Sequence, residues 1–164
     1  MKKLLSLIIC LIIIPVLILG GALAAVYYTF FNPTPAEYEY LNPQSEVSMI
    51  EYANVSLENG VVTTKSFGFV GDTAGFLADL DALECHDGLS FEAIKVLLED
   101  QSIEGIVINY KDGSYEVITP YFSVNSETKL ETVEDILNAK IYGYDVEAFR
   151  AMLQKHKTND IPLV

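Results

Sequence analysis

The sequence predicts an α+β fold in which an N-terminal transmembrane helix precedes a small domain of antiparallel β-hairpins with helices packed on one face. Three observations predict it. An uncharged apolar run fills residues 4–31, two pairs of β-prone segments flank Asn59-Gly60 and Asp112-Gly113, and stripes of apolar residues at helical spacing follow Asp72 and Asp145. The chain of 164 residues divides into an apolar segment (1–31), a Pro-containing spacer (32–45), one acidic domain (46–157) and a tail (158–164). Without the apolar segment about 130 residues remain, enough for one core.

Met1-Lys2-Lys3 precedes the run from Leu4, and no basic residue follows until Lys65. A helix rises about 1.5 Å per residue, so the roughly 28 residues to Phe31 are more than enough to cross a ~30 Å hydrocarbon layer. The cation bias predicts a cytoplasmic N-terminus and an extracytoplasmic C-terminal domain, a single-pass protein of the cell membrane. Tyr27, Tyr28, Phe30 and Phe31 suit the outer interface. A signal peptide competes with this reading, because Gly20-Gly21 and Ala22-Leu23-Ala24 resemble a small-residue cleavage site, and cleavage after Ala24 makes the domain secreted. The apolar stretch that continues to Phe31 favours retention. Asn32 to Ser45 holds three of the six prolines and no apolar period, which reads as an extended spacer holding the domain off the membrane.

In the domain, Val47–Leu57 and Val61–Val70 flank Asn59-Gly60, whose tolerance of positive φ suits a tight hairpin turn. Registering on that turn sets Leu57 against Val62, Val55 against Thr64 and Tyr52 against Phe67, with a bulge or slip allowed because neither face is uniformly apolar. Asp72 caps a helix from Thr73 to about Glu84, with Phe76, Leu77, Leu80 and Leu83 on its apolar stripe. Residues 90–100 fit a helix through Phe91, Ile94, Leu97 and Leu98, although Ile94, Val96 and Leu98 also alternate as in a strand. The hairpin of Ile103 to Thr119 is the clearest local feature. A two-residue Asp112-Gly113 turn sets Tyr110 against Tyr115, Ile108 against Val117 and Ile106 against Thr119, so the tyrosine face is expected inward and Glu116 outward with Asn109. Thr132 and Asp135 offer a variant capping box for a helix carrying Val133, Ile136 and Leu137, ended by Gly143. Asp145 caps the last helix, which presents Val146, Phe149, Met152 and Leu153 on one face and Lys155, His156 and Lys157 at its C-terminal end.

All 23 acidic residues follow the apolar segment and eight of the ten cations do, which leaves the remainder of the chain at −15. That balance repels phosphate backbones, so nucleic acid is excluded as a partner, and the complementary partner is a cationic envelope protein or peptide. With Cys10 in the apolar run, Cys85 is the one thiol of the domain. Cys85-His86-Asp87 invites a metal-assisted or thiol enzyme, but sequence neighbours rarely face one another, and His156 is the other imidazole of the chain. On a helix reaching Glu84 and beyond, Asp81, Glu84 and Cys85 at i, i+3 and i+4 would share a face, a weak set of metal ligands without calcium-loop or zinc spacing.

No G-x-S-x-G, Walker loop, G-x-G-x-x-G or H-E-x-x-H occurs, and no cofactor is expected. Tyr38, Tyr40, Tyr121, Tyr142 and Tyr144 fall in the spacer and loops. Tyr121, Tyr142 and Tyr144 are therefore the candidate partner-binding residues, aromatic side chains that either anchor a partner or pack on their own domain. The arrangement resembles small bacterial envelope proteins, without a motif that names a family. The sequence leads to a non-enzymatic protein- or peptide-binding module, with the enzyme centred on Cys85 and a purely structural or sensory ectodomain as the alternatives.

Overall fold

A computed structural model describes residues 34–58, 61–88, 90, 95, 102–128 and 141–157. The apolar segment, most of residues 89–101, residues 129–140 and the tail lie outside the described residues, and with them the expected transmembrane helix, the expected helices over 90–100 and around Val133, and the Asn59-Gly60 turn itself. Among the described residues no helix is long and apolar enough to cross a membrane. The described fold is α+β, with two antiparallel sheets and two helices.

The larger sheet contains β2 (Val47–Glu58), β3 (Val61–Phe69), β5 (Ile103–Tyr110), β6 (Tyr115–Ile118) and β7 (Ser123–Asn125), in the order β3-β2-β5-β6-β7. The smaller one is built from three-residue strands, β1 (Thr34–Ala36), β4 (Cys85–Asp87) and β8 (Tyr142–Tyr144), in the order β1-β4-β8. The helices are α1 (Thr73–Asp81) and α2 (Val146–Lys157).

Both helix starts follow from local chemistry. The Asp72 carboxylate accepts from the Gly75 N–H at 3.0 Å, and the Asp145 carboxylate from the Ala148 N–H at 2.8 Å, each satisfying a donor that the first turn leaves open. The apolar stripes then bury as the spacing requires: Phe76, Leu77 and Leu80 from α1 join Phe149, Met152 and Leu153 from α2. They meet Ile50, Tyr52, Ile106 and Ile108 on one face of the large sheet. Its opposite face carries a second cluster of Ala53, Val55, Val107, Val117, Phe122 and Val124. The helices are tied to each other where Lys155 and His156 both reach the Asp79 carboxylate.

The first hairpin keeps its expected register near the turn, Leu57 opposite Val62 and Val55 opposite Thr64. The register then shifts between Tyr52 and Ala53, which puts Tyr52 opposite Gly68 rather than Phe67. Phe67 becomes the additional residue of a bulge, its ring stacked on Tyr52 at 6.1 Å between centroids.

The second hairpin differs more, and its difference shapes the molecule. Gly113 N–H donates to the Tyr110 carbonyl and Tyr110 N–H to the Ser114 carbonyl, so the connection is the three-residue loop Lys111-Asp112-Gly113 rather than a two-residue turn. Asp112 fixes this choice by accepting from both the Ser114 N–H at 2.9 Å and the Ser114 hydroxyl at 2.6 Å. Gly113 follows at φ 90°, the left-handed position that closes such a loop with a bulge. The pairing moves by one residue, to Asn109 opposite Tyr115 and Ile108 opposite Glu116. A one-residue slip exchanges the faces of a strand. Tyr110 still points inward at 3% exposure, but Tyr115 turns out to solvent at 44%, and Glu116 is buried at 1%.

Three further expectations are corrected. α1 stops at Asp81, because the chain turns at Ala82–Leu83 to begin β4. Gly143 does not end a helix; it is the middle residue of β8. The segment expected as a free spacer is part of the domain from Thr34 onward: β1 pairs with β4, and Tyr38, Tyr40 and Leu41 pack against the main core.

Candidate functional site

The small sheet places chemistry-bearing residues that are far apart in sequence around one cleft of about 710 Å³. β1 supplies Pro35 and Ala36, the entry to β4 supplies Glu84, Cys85 and His86, and the turn after β6 supplies Pro120 and Tyr121. Tyr144, Asp145 and Val146, at the junction of β8 and α2, and Ser90 complete the lining. That turn is held by Thr119, whose hydroxyl donates to the Phe122 carbonyl at 2.8 Å and accepts from the N–H groups of Tyr121 and Phe122. The Pro120 carbonyl accepts from the Tyr144 N–H at 2.9 Å, which fixes β8 against the turn.

His86 stands opposite Gly143 in the β4–β8 register. A Cβ at position 143 would lie 2.7 Å from His86 Nε2, so glycine there lets the imidazole lie over the strand. Burial pushes the His86 pKa below its ordinary 6.5, which keeps the ring neutral at pH 7. Cys85, 8% exposed, has its thiol pushed up to about 11 chiefly by burial; the neighbouring Tyr144 hydroxyl opposes this, and the smaller effect of the Asp87 charge adds to it. Thiol and imidazole are thus both uncharged at neutral pH, and as successive residues of one strand their side chains leave it on opposite faces. His156 is engaged elsewhere: its Nε2 lies 2.7 Å from Asp79 Oδ2 and its ring meets Phe76 edge-on at 4.9 Å.

The weak metal-ligand set does not come together as a helix face. Asp81 is the last residue of α1, where its carboxylate accepts from the Tyr40 hydroxyl at 2.7 Å and the Gln44 amide at 2.8 Å. Glu84 lies in the following turn and Cys85 opens β4. Among the described residues no group of three or more His, Cys, Asp or Glu side chains is placed to hold a metal ion.

The three tyrosines read as partner-binding residues separate. Tyr142 and Tyr144 are buried in β8, at 6% and 2% exposure, because residues 142–144 pair with β4 and both rings join the main core. Exposed loop positions for them are therefore corrected. Tyr121 is half-buried at the cleft.

Sequence reasoning missed Glu116. Its carboxylate accepts from the Tyr38 hydroxyl at 2.8 Å and from the Leu41 N–H, both from the segment read as a spacer. Burial holds it above the ordinary glutamate value, while those two bonds pull the other way. The buried Tyr110 hydroxyl lies on the same face and acts on Glu116 in the same sense as those two bonds. The signal available in sequence was Asp112-Gly113-Ser114, since an Asp that bonds to the residue two ahead favours the longer loop and hence this register.

No protein-family model matches the chain, and no curated protein and no solved structure shows a significant similarity to it. The site stands on its own geometry.

Proposed function

We infer that the chain is an extracytoplasmic domain, anchored in the membrane through residues 4–31, that binds a cationic envelope protein or peptide without catalysing a reaction. The observation that carries this reading is the cleft, with apolar side chains of Pro120, Tyr121 and Val146, the exposed carboxylates of Glu84 and Asp145, and a thiol and imidazole that are both uncharged at neutral pH. A cleft of that size suits one or two side chains of an extended segment. Basic residues flanking those side chains would meet the two carboxylates and the strongly acidic remainder of the chain. Orientation follows from the lysine pair at the N-terminus and the unbroken apolar run.

The thiol-enzyme alternative requires Cys85 as a nucleophile at neutral pH. A thiol raised to about 11 is less than one part in a thousand ionised there, which weighs against it. Titration of the isotope-labelled full chain in detergent with a lysine- and tyrosine-containing peptide tests the reading. Shifts confined to Tyr121, His86 and Val146, weakened at least tenfold in Tyr121→Ala, support it. No shifts with that peptide, together with a hydrolytic activity abolished in Cys85→Ala, would reverse the choice.

A further inference from the structure

Residues 34–42 are exposed or half-buried throughout, and they are held on the domain by one edge strand, by side-chain hydrogen bonds and by the packing of Ala36, Tyr38, Tyr40 and Leu41 on the main core, where the Tyr38 ring lies 5.0 Å from that of Tyr142. β1 is three residues long and lies at the edge of the small sheet, and Pro35 at its centre has no N–H to donate. Beyond it, Tyr38 and the Leu41 N–H bond to Glu116, Tyr40 bonds to Asp81, and the Asn42 amide donates to the Ser114 hydroxyl at 2.8 Å. Space lies on both sides of the segment. Pro35 and Ala36 wall the large cleft, while Tyr38 to Leu41 border a second cavity of about 240 Å³ against Asn125 and Tyr142. Side chains facing such voids forfeit dispersion contacts, so this segment separates at lower cost than the interdigitated core strands.

We propose that residues 34–42 are a releasable strap that gates the cleft. Docked, the strap covers β4 and narrows the cleft; released, it frees the backbone edge of β4, with Cys85 and His86, for strand addition by an extended cationic peptide. The gate rests on the peptide-binding reading given above. Cys85 reports on the strap, because it stands opposite Ala36 in the β1–β4 register.

The full chain carrying Cys10→Ser in detergent leaves Cys85 as its one thiol. Its alkylation by a maleimide at pH 8 should accelerate roughly ten- to hundredfold in Tyr38→Ala, and by a smaller factor in the gentler Tyr38→Phe, the effect of losing a hydrogen bond to a buried carboxylate. Exchange of the Ile108 amide in β5 should stay unchanged. An unchanged alkylation rate, or one that rises in step with Ile108 exchange, overturns the strap. Oxidising Ala36→Cys onto Cys85 then locks it, and a lysine-rich peptide should bind the locked form at least tenfold more weakly than the reduced form. Equal affinity overturns the gate alone, whereas binding to neither form overturns the binding reading and the gate with it.

Discussion

Glu116→Ala and Tyr115→Ala, measured side by side, separate the two registers of the second hairpin. In the structure Glu116 is buried, and its removal leaves the Tyr38 hydroxyl and the Leu41 N–H without their acceptor. Each stranded donor costs about 1–3 kcal/mol, and because Tyr38 and Leu41 are only partly buried and border a cavity that water can enter, the lower half of the range applies, about 3 kcal/mol in all. Tyr115, 44% exposed, should cost within about 0.5 kcal/mol. For a domain of this size about 3 kcal/mol lowers the melting temperature by roughly 10 °C, readily resolved by calorimetry or circular dichroism. The reverse ranking, with Tyr115→Ala severe and Glu116→Ala neutral, would restore the two-residue turn and refute the three-residue loop.

Glu116→Gln keeps the volume but removes the titration. Burial holds the Glu116 carboxyl above its ordinary value, so the folded chain binds the proton more tightly. That contribution is fully present below the unfolded value near 4.5 and is lost as pH rises through the folded one. The stability of the parent relative to Glu116→Gln should therefore fall as pH rises above about 4.5 in denaturation series, and a flat difference would contradict the burial. Asp79 behaves in the opposite sense. The Lys155 and then the His156 hydrogen bonds hold its carboxyl below 3.8, so the stability it gives is present above that value and lost as pH falls through the folded one. Asp79→Asn should thus destabilise at pH 7 in low salt, by an amount that shrinks as pH falls below 3.8, with urea midpoints as the readout. Gly143→Ala should displace the His86 ring, at a cost of about 1–3 kcal/mol for overpacking, and move its imidazole resonances. An unchanged melt with unchanged His86 signals would remove the close approach.

The parts legible in sequence are those decided within a few residues. Asp72 and Asp145 announce their helices because a cap bonds three positions ahead. Phe149, Met152 and Leu153 bury where helical spacing puts them. The strand pairs of the first hairpin were readable down to Ala53, and the bulge at Phe67 was not, since it depends on how Tyr52 packs on Phe76 and Phe67 together. β1, β4 and β8 left no trace, because three-residue strands carry no periodicity and pair across long separations, Ala36 with Cys85 and Cys85 with Tyr144. The cleft shares that origin. Glu84, Cys85, His86, Tyr121 and Tyr144 were each singled out or considered in sequence, yet only the small sheet brings them to one place. Glu116 was hidden by a single-residue choice of loop, made by the side chain of Asp112.

The central claim, that a polypeptide occupies the cleft beside Tyr121, is tested most directly by photocrosslinking in the native membrane. A benzophenone amino acid introduced at position 121 of the full chain should yield a discrete adduct to a polypeptide rich in lysine or arginine. The same probe at exposed position 115 should yield none. Adducts of equal yield at both positions, or none at position 121, would contradict the claim.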